Sequence, residues 1–181
     1  MCPYWVGYFL VNPLRRLIHD PDKILAPFVA RGAMVLDIGP AMGFFTLPLA
    51  RMVGPQGKVV CVDVQEKMLR ILARRAQKAQ LADRIVTRVC HSPSLGLNDF
   101  IGKIDFALAF AVVHEVPDIP NFFVDVTGAL RKSACCLVVE PKGHVSVQDF
   151  TTTVEAARFK GLNIVSSPQI SWCHAALLRK D

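Results

Sequence analysis

The chain alternates short apolar runs with amphipathic stretches, and this restricts it to an α/β architecture. Residues 33–38, 58–63, 84–90, 104–109 and 134–139 are runs rich in Val, Ile, Leu, Ala and Cys. Strands apolar on both faces are expected where helices cover both sides of a parallel sheet. Helical spacing fills the intervals, over 43–52, 66–80, 119–130 and 146–160. In the second of these, Met68, Leu69, Leu72, Ala73, Ala76 and Ala79 fall on one side. Gly54-Pro55 and Gly161 read as stops, and Asp20-Pro21 and Asp118 as helix starts. After Gly161 the alternation breaks. Residues 162–165 and 171–178 are strand-like runs joined by Ser166-Ser167-Pro168, a hairpin-like end to the sheet.

A length of 181 residues suits one domain over 1–181, with a helical lid segment in 1–30 and a ligand-binding core in 31–181. Hydrophobic residues at 52% and charged residues at 20% exclude a disordered chain. Of the six cysteines most lie inside strand-like runs, as small buried hydrophobes, and none forms a C-x-x-C pair. A reducing, cytoplasmic setting and no metal follow as expectations. The apolar residues 1–11 are broken by Asn12-Pro13 and are too short to span a bilayer. The net charge of +6 invites a nucleic-acid partner, but the basic residues are dispersed. Arg70, Arg74, Arg75 and Lys78 read as the solvated face of one helix.

The segment Val35-Leu36-Asp37-Ile38-Gly39-Pro40-Ala41-Met42-Gly43-Phe44-Phe45 leaves the first strand and enters a helix. Small residues at 39, 41 and 43 let the backbone turn sharply and approach a ligand. The loop lies at the C-terminal end of a strand, where open α/β sheets bind ligands. The dinucleotide pattern G-x-G-x-x-G steps by two and then three, whereas these small residues step by two and two, and Phe44 follows. The second strand ends in Asp63, about twenty residues past the loop, where an acid can take the ribose hydroxyls of an adenosine ligand or cap the next helix.

On these residues the chain resembles the class I methyltransferases that use S-adenosyl-L-methionine, over nearly all of 25–180. Within them it resembles most the ubiquinone/menaquinone C-methyltransferase-like branch (methyltransferase type 11). The matching stretches are 35–43, Val62-Asp63-Val64, and Phe110-Ala111-Val112-Val113-His114-Glu115-Val116-Pro117-Asp118. The terminal pair at 162–165 and 172–179 matches the family's antiparallel seventh strand. The resemblance implies a Rossmann-like, doubly wound, mostly parallel seven-stranded sheet with helices on both faces. It places Asp37, Gly39, Ala41 and Gly43 beside the methionine part of the cofactor, Asp63 on the ribose and Val64 on the adenine. Ser92 then lies near the adenine edge, and Phe110 and Ala111 face the methionine end. Two positions depart from the pattern. Ala41 replaces a glycine, and Ser92 stands where an acid usually holds the adenine amine.

Methyl transfer from a sulfonium is an in-line displacement that chiefly needs alignment, with a base only where the nucleophile carries a proton. His114 is the candidate base, or else fixes its loop. Glu115 and the aromatic Tyr4 and Tyr8, with Trp5 and Phe9, are candidate substrate contacts for a small, lipophilic acceptor. The same segment, with Arg15 and Arg16, could instead touch a membrane surface. The expected product is S-adenosyl-L-homocysteine. The other readings are a nucleic-acid methyltransferase, whose Asn- or Asp-Pro-Pro-aromatic motif is absent here, and a non-catalytic S-adenosylmethionine-binding partner protein. Monomer and homodimer are both open.

Overall fold

A computed structural model of the chain describes residues 15–181. The chain forms two compact units, Met1–Cys90 and His91–Asp181. Among the described residues seven strands form a sheet in the order 85–89, 58–63, 34–38, 104–110, 130–141, 173–180 and 162–166, the expected doubly wound pattern with an antiparallel last strand.

In the first unit the described elements are α1 (Arg15–Ile18), α2 (Pro21–Leu25), β1 (Met34–Ile38), α3 (Thr46–Val53), β2 (Lys58–Asp63), α4 (Glu66–Lys78) and β3 (Ile85–Val89). Asp20 caps α2 by accepting from the Asp22 amide at 3.0 Å, with Pro21 at the first helical position. β1 and β2 pair in parallel, with Asp37 opposite Cys61, and β2 pairs in parallel with β3. Val35, Leu36, Val59 and Val60 are fully buried, as are Leu49 of α3 and Leu72 of α4. Burying each such side chain contributes about 1.5–3 kcal/mol.

β3 corrects the sequence reading. It is an edge strand with Val86 and Val89 exposed, so its apolar run does not mark burial on two faces. A β-branched residue suits any pleated surface, buried or not.

In the second unit stand β4 (Ile104–Phe110), α5 (Ile119–Ala129), β5 (Leu130–Pro141), α6 (Val147–Phe159), β6 (Leu162–Ser166) and β7 (Cys173–Lys180). β4 and β5 are parallel, with Phe110 opposite Val139. β7 runs antiparallel to both β5 and β6. Asp118 caps α5 and Ser146 caps α6, accepting from Asn121 and Asp149 amides at 3.0 and 3.1 Å. α6 ends before Gly161, which takes φ +87°, a conformation that favours glycine. The fifth strand begins at Leu130, which is extended, so α5 ends one residue earlier than its periodicity suggests. Phe106, Phe122, Phe123 and Leu137 centre this core.

No helix among the described residues is long and apolar enough to cross a membrane. Cys61, Cys90, Cys136 and Cys173 are buried, and burial pushes the Cys136 thiol up to about 12.

Candidate functional site

In the first unit, β1 delivers Asp37 to its C-terminal end with only 2% of its surface exposed. Removing a carboxylate from water disfavours its charged form. The Thr46 hydroxyl, on the first turn of α3, donates to Asp37 Oδ2 at 2.6 Å. That bond favours the anion, while burial and the Asp63 charge oppose it, and the net result raises the Asp37 carboxyl to about 7. The two acids at the ends of β1 and β2 therefore lie close enough to repel.

The loop between β1 and α3 is held from below. Gly39 donates its amide to the Val62 carbonyl at 2.9 Å, and Gly43 closes a turn onto the Pro40 carbonyl. At Gly43 the backbone takes φ +88°, a conformation that favours glycine, and an added Cβ would lie 2.4 Å from Leu72 Cδ1, so the Leu72 side chain on α4 would have to shift. Ala41 adopts φ 49°, the left-handed conformation that alanine disfavours. Arg75 of α4 donates to the Met42 carbonyl. This corrects the solvated reading of that helix face. Arg70 is exposed and pairs with Glu66 at 2.8 Å, but Arg75 is half-buried and supports the loop. Arg15 lies over the Phe44 ring at 4.5 Å to its centroid.

Asp63 is only partly buried, and its Oδ1 accepts the Gln65 amide at 2.8 Å. It closes the turn into α4 without being the residue that caps it, which is Gln65. Val64 beside it is 43% exposed, an apolar side chain turned to solvent where β2 ends.

In the second unit, β4 ends on the buried Phe110, and Ala111 turns the chain with φ 55° and donates to the Val139 carbonyl at 2.7 Å. Glu140, at the end of β5, is 1% exposed. Its Oε1 accepts the amides of Val112 at 3.2 Å and Val113 at 2.7 Å. Its Oε2 lies 2.5 Å from His114 Nδ1. The His144 ring stacks on that of His114, 12° from parallel. Glu115 is on the surface of the same 3₁₀ turn. Ser92 is exposed in the turn after β3. That segment is tied to α5, whose Asp125 accepts from Ser94 Oγ and the Leu95 amide at 3.0 and 2.6 Å. Tyr4 and Tyr8 lie outside the described residues.

A family model described as a methyltransferase domain matches residues 30–176. The chain belongs to that methyltransferase family. Membership of the family implies S-adenosylmethionine as the cofactor and S-adenosylhomocysteine as its product. A catechol O-methyltransferase of Mycobacterium tuberculosis is 45% identical over 76 residues, 42% of this chain and 34% of its own length. A ubiquinone/menaquinone biosynthesis C-methyltransferase of Yersinia pestis bv. Antiqua is 27% identical over 133 residues, 68% of this chain and 45% of its own. The chain thus spans less than half the length of these curated relatives. A SAM-dependent methyltransferase structure from Aquifex aeolicus superposes with a TM-score of 0.89 over 100% of both chains at 22% identity, which shows the methyltransferase fold.

The first unit fits this cofactor in charge. A buried carboxylate whose pKa is raised by burial and by a second acid welcomes a cation, and S-adenosylmethionine carries an ammonium and a sulfonium. Sequence reasoning missed Glu140, Thr46, Arg75 and Asp125. Glu140 left one signal, a lone charge closing the apolar run Leu137-Val138-Val139.

Proposed function

We propose that the methyltransferase domain acts on a small organic acceptor, with its cofactor held by the residues at the ends of β1 and β2. The buried, raised Asp37 beside Asp63 carries this reading. Asp37 takes the cofactor's ammonium, and the loop amides around Gly39, Ala41 and Gly43 line its methionine part. Asp63 takes the ribose hydroxyls, Val64 packs on the adenine and Ser92 meets the adenine edge. Phe110 and Ala111 bound the methionine end. The bound cofactor supplies an activated methyl group whose carbon–sulfur bonding pair returns to sulfur on transfer.

The small acceptor is supported by the names of the two curated relatives and by Phe110-Ala111-Val112-Val113 where amino-methylating nucleic-acid enzymes carry their Pro-Pro motif. A single domain is supported by a family match that runs from 30 to 176. Cysteines set inside apolar strand runs with no C-x-x-C pair suit a reducing compartment such as the cytoplasm.

Calorimetric titration tests the cofactor residues. S-adenosylmethionine and S-adenosylhomocysteine are expected to bind in the micromolar range and NAD not at all. The Asp63→Ala variant is expected to bind the adenosyl ligands at least about tenfold more weakly, since a hydrogen bond to a charged group contributes about 1.5–3 kcal/mol. Unchanged affinity in that variant would remove Asp63 from the site. A folded wild type that binds neither ligand would refute the reading.

A further inference from the structure

β5 stays apolar through Val139 and then buries a charge at Glu140, 1% exposed. A carboxylate buried this deeply persists where donors surround it. Two of them are the Val112 and Val113 amides on Oε1, at 3.2 and 2.7 Å. The third is the His114 ring on Oε2, at 2.5 Å. An ionised carboxylate only accepts, so the His114 nitrogen facing it, Nδ1, carries a hydrogen. In the neutral ring the lone pair then belongs to Nε2. The stacked His144 ring, with centroids 5.9 Å apart, restricts rotation of His114. The His114 side chain keeps 26% of its surface exposed, so the ring remains within reach of an acceptor. The turn sits just past the C-terminal end of β4, the end at which open α/β sheets bind ligands.

We propose that Glu140 is a positioning residue that fixes the Nδ1–H tautomer of His114, making Nε2 the base for a phenolic acceptor. This rests on the methyl-transfer reading above. An imidazole, with a pKa near 6.5, is better matched to a phenol near 10 than to an alkyl alcohol, whose proton is far less acidic. As the phenolic oxygen bonds to the incoming methyl carbon, its proton passes to Nε2, and the broken carbon–sulfur pair stays on sulfur. The imidazolium so formed faces the Glu140 carboxylate and then returns the Nε2 proton to water.

Glu140→Gln separates positioning from anchoring. Its carbonyl oxygen still accepts the Val112 and Val113 amides, but its NH₂ group donates toward Nδ1 and forces the ring hydrogen onto Nε2. Nitrogen-15 spectra of the histidine rings are expected to show the Nδ1–H tautomer for His114 in the wild type and Nε2–H in the variant. Transfer of a labelled methyl group to catechol, as the probe, is expected to fall about 100-fold in kcat in Glu140→Gln and in His114→Gln. Calorimetric affinity for S-adenosylmethionine should hold in both. A wild-type ring with its hydrogen on Nε2, or full turnover in Glu140→Gln, would overturn the positioning role. A wild type that binds the cofactor but does not methylate catechol overturns the phenolic acceptor. Failure to bind the cofactor at all refutes the underlying reading and this one with it, and is told apart by the calorimetry.

Discussion

Asp37 and Glu140 are both acids at the C-terminal ends of buried strands, 2% and 1% exposed. Their surroundings differ in kind. Glu140 is met by two backbone amides and an imidazole. Asp37 is met by the Thr46 hydroxyl and repelled by Asp63. A buried anion with enough donors is part of the architecture, whereas one short of positive charge awaits a cationic ligand. The pair shows how the same chemical group can hold a backbone in one unit and, on the reading proposed above, receive a ligand in the other.

The largest expected effect breaks this comparison at Asp37. Its carboxyl is raised from 3.8 to about 7 in the folded chain. The folded state therefore binds more protons than the unfolded state between those values, and stability falls as pH rises through that window. Below pH about 4 the contribution is complete, and above about 7 the penalty is constant, at most about 4 kcal/mol from the size of the shift. Asp37→Asn keeps an acceptor for Thr46 and removes the charge. Urea unfolding of the ligand-free variant should show greater stability than the wild type at pH 8 and little difference at pH 4. A wild type whose stability does not change across that window would show Asp37 to be better satisfied than its surroundings indicate. Cofactor affinity should run the other way in the wild type, rising with pH up to about 7, because a cationic ligand binds the anion.

Glu140 should respond oppositely to loss of its side chain. Glu140→Ala strands the Val113 amide, which is buried, and the Val112 amide beside it. An orphaned buried donor costs about 1–3 kcal/mol, so a loss of about 3 kcal/mol is expected in the same urea experiment. Equal destabilisation by Asp37→Ala would erase the distinction between the two acids.

The difference between the acids also explains what could be read from the sequence. Asp37, Gly39, Ala41 and Gly43 lie in one contiguous segment, so their spacing could be read as a single loop, and the family resemblance supplied the roles proposed for them. Glu140 and His114 are 26 positions apart and meet because β4 and β5 pair in parallel with Phe110 opposite Val139. No local pattern records that register. Arg75 was misread because helical periodicity tells which face is polar, not what the polar face meets. In this case it meets the Met42 carbonyl. β3 was misread because an apolar run does not distinguish an interior strand from an edge. The element order, the helix caps at Asp20 and Asp118, and the terminal antiparallel pair depend on short-range chemistry and were legible.

The smallest effect sharpens the picture of the Asp37 loop. Ala41 holds φ 49°, which costs a non-glycine residue about 1–2 kcal/mol relative to right-handed backbone. Glycine removes that strain but adds freedom to the unfolded chain, worth about 0.4–1 kcal/mol in the opposite sense. Ala41→Gly should therefore stabilise the ligand-free domain by about 0.8 kcal/mol, within a range from about 0 to about 1.6. Ala41→Val should destabilise it, because a β-branched side chain tolerates the left-handed region least. The order glycine, alanine, valine in urea midpoints is the observable. If alanine proves the most stable of the three, the loop is not strained at this position, and the tension around Asp37 lies in its charge alone.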